Sequence, residues 1–216
     1  MTDQNSALTT TSSGNVFGGI QAFEDAQRIA KALASSSLVP QQFQGQQGLA
    51  NTLVALEIAG RMGLSPLQVM QNLHIIHGRP SWSSQFIIAL INGCGRFEPL
   101  RYEISGKGDD LACYAWAKEK ATGNDLAGPT ITMAMAKAEG WASKSGSKWK
   151  TMPELMIRYR AAAFWGRLFV PELLCGITHT QEEAIDIQEV SVSAVSDLNA
   201  KVAEQPKPEP VADEIF

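Results

Sequence analysis

Residues 149–169 read WKTMPELMIRYRAAAFWGRLF, three arginines and an apolar stripe laid out at helical spacing. The pattern predicts a helix starting near Met152. Thr151 stands as its N-cap with Glu154 three residues on, a capping-box spacing, and Pro153 falls in the first turn, where its missing N–H is tolerated. At about 100° per residue, Ile157, Ala161, Phe164 and Leu168 form one narrow stripe, the expected buried face. Arg160 and Arg167 lie nearly in line beside it, about 10 Å apart along the axis, with Arg158 on the other flank near Trp165 and Phe169. Ala162, Ala163 and Gly166 are small enough to let a bulky ligand approach the backbone. Two aligned guanidiniums suit a polyanion. The competing reading is an ordinary solvated arginine face.

Charge along the chain supports the first reading. The formal net charge is −4, yet residues 181–216 carry nine acids and two bases, which leaves 1–180 at +3. Within 137–170 there are seven bases and two acids. An acidic tail thus offsets a basic patch, the distribution of a protein that meets an anion locally. At 216 residues one well-cored domain is expected. Cys94, Cys113 and Cys175 are widely spaced with no CxxC pair, which favours a reducing compartment without disulfides. No run approaches twenty apolar residues and no basic segment precedes an apolar one, so neither a membrane span nor a secretory leader is expected.

Residues 1–19, rich in Ser, Thr, Gly and Asn, and 188–216, acidic with alternating prolines, read as disordered tails around a domain at 20–187. In that domain, helices are expected at Gln21–Ala34 and Leu49–Met62, the second stopped by Gly63, and from Ser65-Pro66 to about Met70. A hairpin turns at Gly78-Arg79 and is followed by a helix over Ser84–Asn92. Phe97–Ile104, Asp110–Lys118 and Pro129–Thr132 read as strands, and Met133–Glu139 as a short helix. The fold class is α+β: helices packed on a small antiparallel meander and hairpin, with the basic helix on the C-terminal side lining a groove.

Catalytic constellations are missing from the sequence. His74 and His77, three apart on a strand, point to opposite faces and lack further ligands, and the acids Glu98, Glu103, Asp109, Asp110 and Asp125 fall in turns and strand ends. Neither GxxxxGK[ST] nor GxGxxG occurs. The tryptophans say more. Trp141 and Trp149 bracket a Lys- and Gly-rich loop, 143–148, a composition suited to stacking bases while cations hold phosphates. Core packing is the stronger reading for Trp116 and Trp165, with both readings open for Trp149.

In order along the chain, LVALEIAGRMGLSP at 53–66, the hairpin and helix of His74–Asn92, Gly95-Arg96-Phe97, Trp149-x-x-x-Pro153 running into Met156-Ile157-Arg158-Tyr159-Arg160, Arg167-Leu168, Cys175-Gly176-Ile177 and the acidic Gln181–Ala184 resemble the RecT and Red-beta single-strand annealing proteins of phage recombination systems. The resemblance spans about residues 20–187. It implies a non-enzymatic protein of the bacterial host cytosol that binds single-stranded DNA, anneals it to a complementary strand without ATP, and works as a ring or helical filament. It needs no cofactor, with Mg²⁺ a candidate modulator. DNA contact then falls on Arg158, Arg160 and Arg167, supported from the loop by Lys144, Lys148, Trp149 and Lys150. The implied partners are single-stranded DNA, the annealed duplex, further copies of the chain, a phage exonuclease and a host single-stranded DNA-binding protein. Two departures bear on this. Glu154-Leu155 stand where Red-beta has a basic pair, and no counterpart of the helical C-terminal domain used there for exonuclease contact is expected from the sequence. The rival functions are a protective coat that does not anneal and a metal-dependent nuclease. The acidic tail, ending Asp213-Glu214-Ile215-Phe216, reads as a solubilising segment, a partner-recruiting end, or a competitor of DNA for the basic groove.

Overall fold

The computed structural model describes residues 15–76, 78–143 and 146–186. Most of both expected tails therefore lies outside the described residues, as do His77 and Lys144. The described chain starts within the segment read as an N-terminal tail, and Val16 there is already buried.

Two helices open the fold, α1 (Ile20–Ala34) and α2 (Gly45–Met62). They enclose a small core of their own, with Val16, Ala26, Ala30 and Leu56 buried and Phe23, Leu49 and Leu53 packed around them. Helix α2 begins four residues before the expected start, because Gly48 allows the helix to lie directly against the Phe43 backbone. It ends where the sequence says, at Gly63 in the left-handed region with φ 65°. Helix α3 (Pro66–Asn72) carries Pro66 at its first position and leads into the hairpin β1 (Leu73–Ile76) and β2 (Arg79–Trp82), turned at Gly78 with φ 77°.

Helix α4 (Ser84–Gly93) follows, capped by Ser83, whose Oγ accepts the Phe86 amide at 3.1 Å. The larger sheet pairs β3 (Arg101–Ser105) with β4 (Ala112–Lys118), and β4 in turn with β5 (Asp125–Ala127) and β6 (Ile131–Thr132), all antiparallel. The Phe97–Ile104 strand is shorter than expected, and β5 falls where the sequence predicts only a turn and a following strand. Helix α5 (Met133–Ala138) is capped by Thr132.

One turn of helix, α6 (Lys148–Thr151), precedes the arginine helix α7 (Pro153–Phe169). This corrects the expected capping box. Thr151 belongs to α6, which is capped by Ser147 instead, and the backbone breaks at Met152 (φ −140°) so that Pro153 opens α7 with no side-chain cap. Helix α7 packs between β4 and α4, and its middle is buried on almost every side: Ile157, Ala161, Ala162, Ala163, Trp165 and Gly166 are inside. Leu168, placed by periodicity in the buried stripe, is 61% exposed. The small residues admit a neighbouring helix, not a ligand. A Cβ on Gly166 would stand 3.4 Å from both Ile87 and Ile91 of α4. On the sheet side, Cys113, Ala115, Ala117 and Ile131 meet α7, and Trp165 sets its ring edge-on to Phe97 at 5.1 Å while its indole N–H donates to the Leu126 carbonyl.

The α+β architecture of helices and small antiparallel sheets matches the expectation. No helix among the described residues is long and apolar enough to cross a membrane.

Candidate nucleic-acid interface

The arginine helix does not offer its three cations to one open surface. Residues 181–186 are helical and carry Glu182, Glu183 and Asp186. A reciprocal cap starts this segment: the Thr180 N–H donates to Glu183 Oε2 at 2.9 Å, and the Glu183 N–H donates to Thr180 Oγ1 at 3.1 Å. Trp82 fixes its approach, with the Trp82 amide donating to the His179 carbonyl at 3.1 Å. The segment thereby sets its acids against α7.

Arg160 is 5% exposed. Its Nη2 donates to Asp186 Oδ2 at 2.8 Å, its Nε stands 3.5 Å from Glu183 Oε1, and its guanidinium stacks on Trp141, 3.7 Å from the ring centroid. Burial pulls its pKa below the ordinary arginine value, and Glu183 and Asp186 pull it back up. Such a group is an internal counterion, so the expected phosphate contact at Arg160 is corrected. Its charge is already paired with two acids inside the fold. Arg167, aligned with it as predicted, is partly exposed but paired with the same Glu183. Trp149 is also corrected as a stacking platform. It is 1% exposed, and its ring packs 5.4 Å from Trp141 beneath Arg160. Trp82 and Trp165 are likewise inside, whereas Trp116, expected in the core, is only half-buried on the outer face of β4.

Arg158 takes the opposite flank. It is half-exposed, donates to the Glu154 carbonyl at 3.3 Å and stands 3.7 Å from the Glu154 carboxylate. Its field reaches the sheet, where it lowers the pKa of Tyr102 and of Cys113 against a larger rise from burial. Lys150 is exposed, with its ammonium donating to the Ser143 carbonyl at 3.2 Å.

Among the described residues, Lys148 is an exposed cation that faces a concave surface. An open cleft of about 270 Å³ is lined by Ser83, Ser84 and Gln85 at the start of α4, by Lys148, by Leu155, Met156 and Tyr159 of α7, and by Gln181 and Glu182. Gln85 Nε2 donates to the Tyr159 hydroxyl at 3.0 Å, which leaves the phenolic proton free to donate onward. The first-turn amides of Ser84 and Gln85 have no acceptor further back in their helix, and the partial positive end of α4 faces the same space. Ser84 itself is buried, and its hydroxyl donates to Glu182 Oε2 at 2.8 Å. Burial lowers the pKa of His74, and the charge of Glu182 opposes that shift.

Nothing in the sequence pattern marks Ser84, Gln85 or Tyr159 as lining a site. The Ser83-x-x-Phe86 cap and the Thr180-x-x-Glu183 box were legible signals for two of the walls. Among the described residues no group of three or more His, Cys, Asp or Glu could hold a metal ion. No family model matches the chain, and neither does any curated protein or solved structure.

Proposed function

We propose that the chain binds single-stranded DNA by its phosphates at the cleft between α4, α6 and α7, and anneals it to a complementary strand without ATP and without making or breaking a bond. The observation that carries this reading is the Ser84–Glu182 contact. A cleft with Lys148 at its rim and neutral donors on its floor already receives an anionic oxygen in the folded chain. The resemblance of the ordered motifs to annealing proteins points the same way.

On this reading Lys148 acts as a point charge for one phosphate while the α4 amides, Gln85 and Tyr159 supply directed donors. Phosphate contacts fix the strand's path and leave its base edges to a second strand, so sequence is read by pairing and the protein has little base preference. Each protomer offers few contacts, which binds weakly at physiological salt. Neighbouring protomers on one strand raise the avidity, which makes self-assembly part of the mechanism.

The test is annealing of two complementary dye-labelled oligonucleotides without ATP, comparing the wild-type chain with Lys148→Ala across salt concentrations. Acceleration is expected from wild type. The variant should bind about tenfold more weakly at low salt, with a salt slope shallower by about 1. Tight binding without acceleration would make the protein a protective coat, and absence of binding would sink the reading.

A further inference from the structure

We infer that residues 180–186 form an anionic strap whose Glu182 holds the place of a strand phosphate and must be displaced when DNA binds, an inference that rests on the DNA-binding reading above. The strap's contacts differ in depth. Asp186 and Glu183 lie inside, on Arg160 and Arg167, and with the Thr180–Glu183 cap they hold the segment on α7. Glu182 points the other way, part-exposed, into the cleft.

Its partner is well built for the role. Ser84 is 3% exposed in the first turn of α4, and the carboxylate its hydroxyl holds lies against the turn where an incoming phosphate oxygen would meet the helix. Because the inner acids tether the segment, Glu182 faces the cleft at a high effective concentration, and a free phosphate competes at a disadvantage. The inner contacts need not open for the exchange. Only the Glu182 side chain has to turn away, which a polyanion engaging Lys148 favours by repulsion. A strand long enough to engage several protomers overcomes this competition more readily than a short one, so the strap sets a threshold on strand length and salt.

The experiment titrates the full chain with dye-labelled oligothymidylate over a range of salt concentrations, using wild type, Glu182→Gln, Lys148→Ala and Glu24→Gln. Glu24 is an exposed acid on α1 and controls for net charge. Glu182→Gln is expected to bind about fivefold more tightly at low salt, with the gain shrinking as salt rises. Lys148→Ala should bind more weakly and Glu24→Gln as wild type. Unchanged binding in Glu182→Gln with weakened Lys148→Ala would overturn the strap and leave the cleft standing. Equal tightening in Glu24→Gln would overturn it as a net-charge effect. No change in either Glu182→Gln or Lys148→Ala would remove the cleft reading, and the strap with it.

Discussion

Arg160 and Asp186 meet at 2.8 Å across 26 residues of chain, and both are buried. Removing the guanidinium takes from Glu183 and Asp186 the buried cation they share, while Arg167 stays on Glu183. Breaking such a pair from one side costs about 3–5 kcal/mol, because the remaining charge keeps its desolvation penalty and loses part of its compensation. Arg160→Ala should therefore lower the urea midpoint sharply. Lys148→Ala, at an exposed site, should shift stability by less than about 0.5 kcal/mol. A fully stable Arg160→Ala protein would show that the buried network is not an anchor. The contrast also decides how a loss of DNA binding is read: in Lys148→Ala it reports the cleft, in Arg160→Ala it reports folding.

Two glycines separate backbone approach from helix packing. A Cβ on Gly48 would lie 2.2 Å from the Phe43 carbonyl carbon, which no rotamer change can relieve, and the same carbonyl oxygen accepts the Thr52 hydroxyl. Gly48→Ala should thus destabilise by at least about 2 kcal/mol in urea denaturation. On Gly166 the added methyl meets only the ends of Ile87 and Ile91 at 3.4 Å. Gly166→Ala is expected to be neutral or to gain up to about 1 kcal/mol from helix propensity, whereas Gly166→Leu should cost about 1–3 kcal/mol by overpacking. The prediction fails if the two alanine variants behave alike.

These positions also show what the sequence could and could not tell. Gly63, Ser65-Pro66, Gly78 and the Ser83 cap act through local backbone chemistry, so their elements were legible to within a few residues. Arg160 was placed correctly on α7 and wrongly in solvent. Periodicity sets an angle around a helix, but the occupant of that angle comes from a segment beyond Cys175 whose acids, by composition, belong with the acidic tail. The Thr180-x-x-Glu183 spacing was the available signal that those acids belong to a folded turn. Trp149 was undecidable for a related reason. Nothing local says that Trp141 and Arg160 would stack over it.

High pH should loosen the contact between the larger sheet and α7. Tyr102 and Cys113 lie on the sheet's inner face, and burial pushes the tyrosine up to about 12 from its ordinary 10.0 and the thiol up to about 11 from 9.0. In the unfolded chain both groups lose their protons earlier than in the folded one. The stability they contribute is full below about pH 9 and is lost as pH rises through 9 to 12. Urea midpoints should fall over that window, and Cys113→Ala should flatten its lower part. A midpoint that stays level to pH 11 would contradict this.

The buried tryptophans give a sharp test of how a strand would be held. Base stacking on an exposed ring contributes about 1–3 kcal/mol per base, so a stacking Trp149 would lose about 5- to 150-fold in affinity when the ring is changed. Inside the fold the ring instead fills space under Arg160, with its indole N–H buried and unpartnered. Trp149→Ala should cost about 3–5 kcal/mol of stability through the cavity it leaves. Trp149→Phe keeps most of the volume and removes that orphaned donor, so it should fold and bind oligothymidylate as wild type does. Titration by anisotropy, with folding checked by circular dichroism on the same samples, separates the two roles. A folded Trp149→Phe protein with affinity reduced tenfold or more would mean that strand binding opens the strap and brings this ring to the surface.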